Sequence, residues 1–114
     1  MPNACRNFDF SSGHGCCPPG MVKAELVQDV YINKRTVAVV TDCIVGHGVY
    51  SQQHKGCIIG GAEGVFANGR MVARVGDPLD CHRFHIMLTG SENVLVGGNT
   101  KIEEDFINGE GRWG

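Results

Sequence analysis

The sequence predicts an all-β domain built from three related hairpin units, and three observations carry that expectation. A stretch of β-branched and aromatic residues repeats within the chain, glycine-rich turns separate the copies, and no segment sustains the 3.6-residue apolar period of a helix. At 114 residues with 17 Gly, the chain is sized for one domain whose core is modest and whose glycines lose much backbone entropy on folding. A cross-link beyond apolar packing is therefore expected, and 6 Cys and 5 His supply the candidates.

The first copy of the repeat is Val30-Tyr31-Ile32-Asn33-Lys34-Arg35-Thr36-Val37-Ala38-Val39-Val40-Thr41-Asp42. The second, shifted by 35 residues, is Val65-Phe66-Ala67-Asn68-Gly69-Arg70-Met71-Val72-Ala73-Arg74-Val75-Gly76-Asp77. Each reads as a short strand, a two-residue turn at Asn33-Lys34 or Asn68-Gly69, and a second strand closing on Asp. Asn-Gly between β-rich runs is a strong hairpin signal, because a type I′ turn needs positive φ at both central residues. A third, truncated copy begins at Gly90-Ser91-Glu92-Asn93-Val94-Leu95-Val96-Gly97-Gly98 and matches the stretch from Gly61. Three such units predict pseudo-threefold symmetry. Val30, Ile32, Val65, Phe66, Val94 and Val96 are expected mostly in the core.

Glycine-rich connections follow the hairpins, at residues 11–16, 45–48 and 60–61. Residues 101–108 allow a helical turn or two, and the end of the chain reads as mobile. The expected domain spans residues 1–98, with 99–114 a partly flexible extension.

The charge balance excludes some functions. Ten basic and twelve acidic residues give a net charge of −2, with no basic block to neutralise a run of phosphates, so no nucleic-acid partner is expected. No run approaches the roughly 20 apolar residues that cross a bilayer, and Met1 to Cys5 lack a charged start followed by an apolar stretch. The expectation is a soluble chain made in the cytoplasm. There, cysteines interspersed with histidines near glycines favour metal ligation over three disulfides.

Gly-His-Gly occurs at 13–15 and 46–48, a spacing close to the repeat length, so His14 and His47 are expected at equivalent corners of one site. The repeat alone nominates His82 as a third corner, in competition with its neighbour Cys81, while His54 and Cys57 form a His-x-x-Cys pair able to chelate together. These spacings fit no standard zinc-finger template, and histidines that merely satisfy loop hydrogen bonds remain the alternative.

Asn68-Gly69-Arg70-Met71-Val72-Ala73-Arg74-Val75-Gly76-Asp77-Pro78 resembles the signature of the PAAR-repeat family, with Met71-Val72 where that signature has Pro-Ala. Ser12-Gly13-His14-Gly15-Cys16 ahead of Pro18-Pro19, the Gly-Ser-x-Asn-Val unit at 90–94 and Cys81 after Asp77-Pro78 agree with it. The resemblance covers about residues 11–98, and the start, Pro2 to Phe10, departs from the family's usual opening. It implies a small cone that caps a trimeric β-helical spike, one tip per trimer, in a phage tail or baseplate or a type VI secretion machine. The tip would be assembled into the virion or secretion spike and meet a target membrane transiently.

The resemblance also implies a structural zinc near the apex, with iron as the other candidate, held by His14, His47, His54 and Cys81; it thereby favours Cys81 over His82. Four filled positions leave no place for a reacting water, so no enzymatic activity is expected. Two other classes stay in view: a small metalloenzyme using Asp80, His82 or His85 beside the metal, and a disulfide-rich secreted binding domain. At this length no additional toxin domain is expected.

Overall fold

The computed structural model describes residues 2–12, 20–44, 57–79 and 86–102, and these are all-β. Eight short strands form four antiparallel pairs. β1 (Val22–Lys23) pairs with β4 (Cys43–Ile44), β2 (Tyr31–Ile32) with β3 (Arg35–Thr36), β5 (Gly60–Ala62) with β8 (Thr100–Ile102), and β6 (Phe66–Ala67) with β7 (Arg70–Met71). Among the described residues no helix is long and apolar enough to cross a membrane.

Both expected hairpins form at the expected turns. Asn33 and Lys34 take φ of 52° and 69°, and Asn68 and Gly69 take 50° and 82°, the left-handed pair that a type I′ turn requires. Tyr31 then faces Thr36 and Phe66 faces Met71, at equal places in the two copies.

The third copy is completed by a stretch far from it in sequence. Its first strand is 94–96, and its second is the chain's own beginning. Ala4 N donates to Val94 O at 2.9 Å and Val96 N to Pro2 O at 2.8 Å, while Asn3 faces Leu95. The matching bonds in the two continuous hairpins are Val37 N to Val30 O at 2.9 Å and Val72 N to Val65 O at 3.0 Å. The copy looks truncated in the sequence because its two halves lie at opposite ends of the chain.

Equivalent positions also bond to one another across the units. Cys5 N donates to Ala73 O, Ala73 N to Ala38 O and Ala38 N to Cys5 O, at 2.9, 2.9 and 3.0 Å, a closed cycle of three backbone bonds. All three residues are fully buried. Small side chains suit this position because three backbones converge on it.

A second element recurs three times, a tight turn ending in Asp. Asp9, Asp42 and Asp77 each donate their amide to the carbonyl three residues back, at 3.0 Å. Each carboxylate in return accepts the amide of that residue, from Arg6 at 2.8 Å, Val39 at 2.9 Å and Arg74 at 2.8 Å. The residue before each Asp takes positive φ: Phe8 at 73°, Thr41 at 83° and Gly76 at 95°. Only Gly76 adopts this without steric cost, so the reciprocal Asp bonds hold Phe8 and Thr41 where their side chains disfavour them.

Two apolar clusters sit on either side of this framework. The larger gathers Cys5, Val22, Ala38, Ile44, Ile58, Ala73 and Met87 with their neighbours. The smaller gathers Val27, Val37, Val39, Ala67 and Val72, with Val30, Ile32 and Val96 packed against it. The expectation of core positions along 30–32, 65–66 and 94–96 therefore fails at Phe66, which is exposed, and at Val65. Strand alternation explains Phe66: its neighbour Ala67 takes the inward side. Lys101 and Ile102 lie in β8 rather than in a helical turn, so described strand structure continues past residue 98.

Candidate metal centre and its framework

The expected ligands His14, His47, His54 and Cys81, together with Asp80, His82 and His85, lie outside the described residues. What is described is where the segments carrying them join the fold. Residues 13–19 are bounded by Ser12 and Gly20, 45–56 by Ile44 and Cys57, and 80–85 by Leu79 and Ile86.

These bounding residues form one ring. Ser12 N donates to Ile86 O at 2.8 Å, and Ile86 N to Ser12 Oγ at 3.2 Å. Pro78 pairs with Ile86 and Leu79 with Ile58, and Ile59 N donates to Pro78 O at 3.0 Å. Cys57 faces Cys43, β4 pairs with β1, and Phe10 pairs with Met21, which returns the ring to its start. Ser11 N and Gly20 O bond at 2.7 Å, and Gly20 N reaches Ser11 Oγ at 3.0 Å, closing the base of the first segment. A Cβ at Gly20 would lie 2.7 Å from Ile44 Cδ1, so a larger residue there would displace the Ile44 side chain. All four expected ligands thus belong to segments that leave the fold from a single ring of strands.

The cysteines depart from the sequence reading at one place. Cys43 and Cys57 are joined in a disulfide, with Cα atoms 3.9 Å apart and a sequence separation of 14. The two strands set these residues directly opposite each other, where cross-strand side chains come within bonding reach. The His54-x-x-Cys57 chelate is therefore not available, because the Cys57 sulfur is already bonded. The disulfide closes the base of the segment that carries His47 and His54.

Cys5 is a buried thiol whose Sγ lies 3.3 Å from Thr89 O. Burial, reinforced by the nearby Asp9 and Asp77 carboxylates, pushes that thiol well above its usual value, so it stays protonated and unsuited to ligate a cation. Among the described residues no three His, Cys, Asp or Glu side chains converge as a metal site.

The charged groups of the framework are structural. Arg74 and Asp77 are both almost fully buried. Arg74 Nε and Nη2 bond the Asp77 carboxylate at 3.2 Å each. Its Nη1 reaches the carbonyls of Val96, Gly97 and Gly98 at 3.3, 3.1 and 2.8 Å, and Nη2 reaches Thr100 Oγ1 at 2.8 Å. Arg6 repeats the pairing with Asp9 at 3.0 Å, and its hydrogen bonds to that carboxylate raise its already high pKa. Val39 occupies the same place beside Asp42, so that carboxyl has no arginine on its own turn. Burial pushes the Asp42 pKa upward, against the amides of Val39, Leu26 and Glu25 and the charge of Arg70, which pull it down.

This Arg-x-x-Asp pairing went unrecognised in the sequence. The recurrence of Asp at 9, 42 and 77, with Arg three residues before two of them, is the signal that marks the N-terminal stretch as part of the repeat.

Residues 50–102 match the family model described as the PAAR motif. No curated protein matches the chain.

Proposed function

Because residues 50–102 match the PAAR motif, we propose that this chain belongs to the PAAR-repeat family, whose members belong to the spike tips of contractile injection systems, and that it is a non-enzymatic tip capping a trimeric β-helical spike. The observation that supports this most is the closed cycle of hydrogen bonds among Cys5, Ala38 and Ala73. A single chain that repeats one hydrogen-bonding pattern three times, in cyclic order, can offer equivalent contacts to three identical chains. The tip is pseudo-threefold and conical, and it sits on the end of a phage tail or a type VI secretion spike, meeting a target membrane as the machine fires.

His14, His47, His54 and Cys81 hold the metal, zinc by donor set, with iron the other candidate. When bound, it supplies a closed four-ligand cross-link and no open position for a reacting water. The support for this staple is that all four residues belong to segments leaving one ring of paired strands. Tying these segments together restricts the unfolded chain and adds binding free energy to folding. The Cys43–Cys57 disulfide favours a second reading of the staple alone, in which disulfides stabilise the domain without metal.

Metal analysis and melting of the purified chain separate the two readings. The proposal expects one bound metal, and a sharp fall in melting temperature on chelation or in His47→Ala. An unchanged melt with no metal present contradicts it. For the capping role, co-expression with a trimeric β-helical spike protein from the same source should yield a stable complex. Separate elution of the two proteins contradicts that role.

A further inference from the structure

The spike-tip reading leaves open which side chains meet the spike, and the three hairpin copies narrow the choice. Tyr31, Phe66 and Leu95 occupy the same position in their copies, since they face Thr36, Met71 and Asn3 respectively, the residues two before Ala38, Ala73 and Cys5. Each is a large apolar side chain directed away from the core, with 62%, 61% and 48% of its surface exposed. Their inward neighbours Ile32, Ala67 and Val96 all belong to one apolar cluster, so the three strands gather around a common centre. The outward residues therefore surround that centre.

Single exposed apolar residues are ordinary and need no partner. Recurrence at one register is different, because each copy independently leaves a large side chain in water at the same place. Two other exposed apolar residues, Phe10 and Leu88, do not behave this way. Phe10 has Cys43 and Pro78 as its counterparts, and Leu88 has Lys23 and Ile59, as their places relative to the Asp turns show.

We propose that Tyr31, Phe66 and Leu95 form the docking ring through which this chain seats on the trimeric spike, each entering the same apolar site on one of the three spike chains. This rests on the spike-tip reading above. A true threefold partner has three identical sites, and these are the side chains that the fold repeats three times for them. Leu95 is smaller than the two aromatic residues, so one of the three sites is filled less completely and docking is asymmetric.

The test measures binding of the purified chain to a trimeric β-helical spike protein from the same source. Tyr31→Thr/Phe66→Thr/Leu95→Thr should weaken binding at least tenfold with an unchanged melting temperature. Phe10→Thr/Leu88→Thr, equally exposed but not repeated, should bind as the unaltered chain does. If the triple variant unfolds, the single variants Tyr31→Thr and Phe66→Thr decide, each expected to weaken binding by more than Leu95→Thr. Wild-type affinity in the triple variant, or a loss confined to the Phe10/Leu88 variant, overturns the ring while leaving the tip reading intact. Absence of binding by the unaltered chain overturns the tip reading and the ring with it. If the chain alone self-associates and the triple variant is monomeric, the ring is instead an interface between copies of this chain.

Discussion

The turn at Asp77 and the turn at Asp42 share one backbone design and are secured by different chemistry. At Asp77 the buried carboxylate is matched by Arg74, which also gathers the carbonyls of 96–98 and the Thr100 hydroxyl. At Asp42 the arginine is replaced by Val39, and the residue immediately after the Asp, Cys43, is covalently tied to Cys57. The same turn is thus tethered electrostatically in one copy and covalently in another. The repeated backbone requires the Asp and its reciprocal bonds, while the means of anchoring each copy is free to differ.

The largest expected effect tests the electrostatic tether. Arg74→Met removes the partner of a buried carboxylate and strands three carbonyls, and breaking a buried pair costs about 3–5 kcal/mol, so the variant should melt far below the unaltered chain or fail to fold. A melting temperature within a degree or two of wild type would mean that Arg74 does not anchor the turn.

Reducing the covalent tether comes next. Opening a disulfide that closes a loop of this size costs about 3 kcal/mol in the chain-entropy account. Reductant, or Cys43→Ser/Cys57→Ser, should lower the denaturation midpoint by a corresponding amount without altering the rest of the fold. Chemical counting of thiols in the native protein checks the pairing directly.

Replacing the two carboxylates sharpens the comparison further. Asp77→Asn leaves the Arg74 guanidinium buried without its counter-charge, whereas Asp42→Asn removes a charge whose burial is unfavourable and retains an acceptor for the Val39 amide. The destabilisation should therefore be larger at 77 than at 42 by about 1–3 kcal/mol, read from chemical denaturation. Equal losses would show that charge matching does not distinguish the two turns.

The smallest effect is in pH dependence. Because folding raises the Asp42 pKa above its usual 3.8, the folded chain holds that proton more tightly. Its contribution to stability is complete below the usual value and is lost as pH rises through the folded one. Asp42→Asn should lack this component, so the difference in stability between the variant and wild type should move in the variant's favour as pH rises above about 4. A difference that is flat with pH, or that moves the other way, would contradict the burial of an unmatched carboxyl.

Much of the β architecture was legible because local chemistry dictates it. Asn68-Gly69 satisfies a type I′ turn by itself, and the repeated Val-x-x-Asn and Val-Ala-x-Val letters carry two hairpins wherever the rest of the chain goes. The third hairpin was hidden because its halves are separated by most of the sequence, and residues 2–9 share with both other copies chiefly the closing Asp and a small residue, Cys5 in place of alanine, and with the second alone the Arg-x-x-Asp spacing. The disulfide was hidden for a related reason. Which cysteines pair depends on strand register, and nothing local to Cys43 or Cys57 announces that they face one another. The ligand set at 14, 47, 54 and 81 came from spacing and family resemblance. The fold adds to it that the residues bounding their three segments pair with one another in one ring.

The central claim is that one threefold-repeated chain, stapled by one metal, meets one trimer. Native mass spectrometry of this chain co-purified with its spike protein tests it most directly. The account predicts a complex of one chain, three spike chains and a single metal ion. Three copies of this chain on each trimer, or a complex without metal, would contradict it.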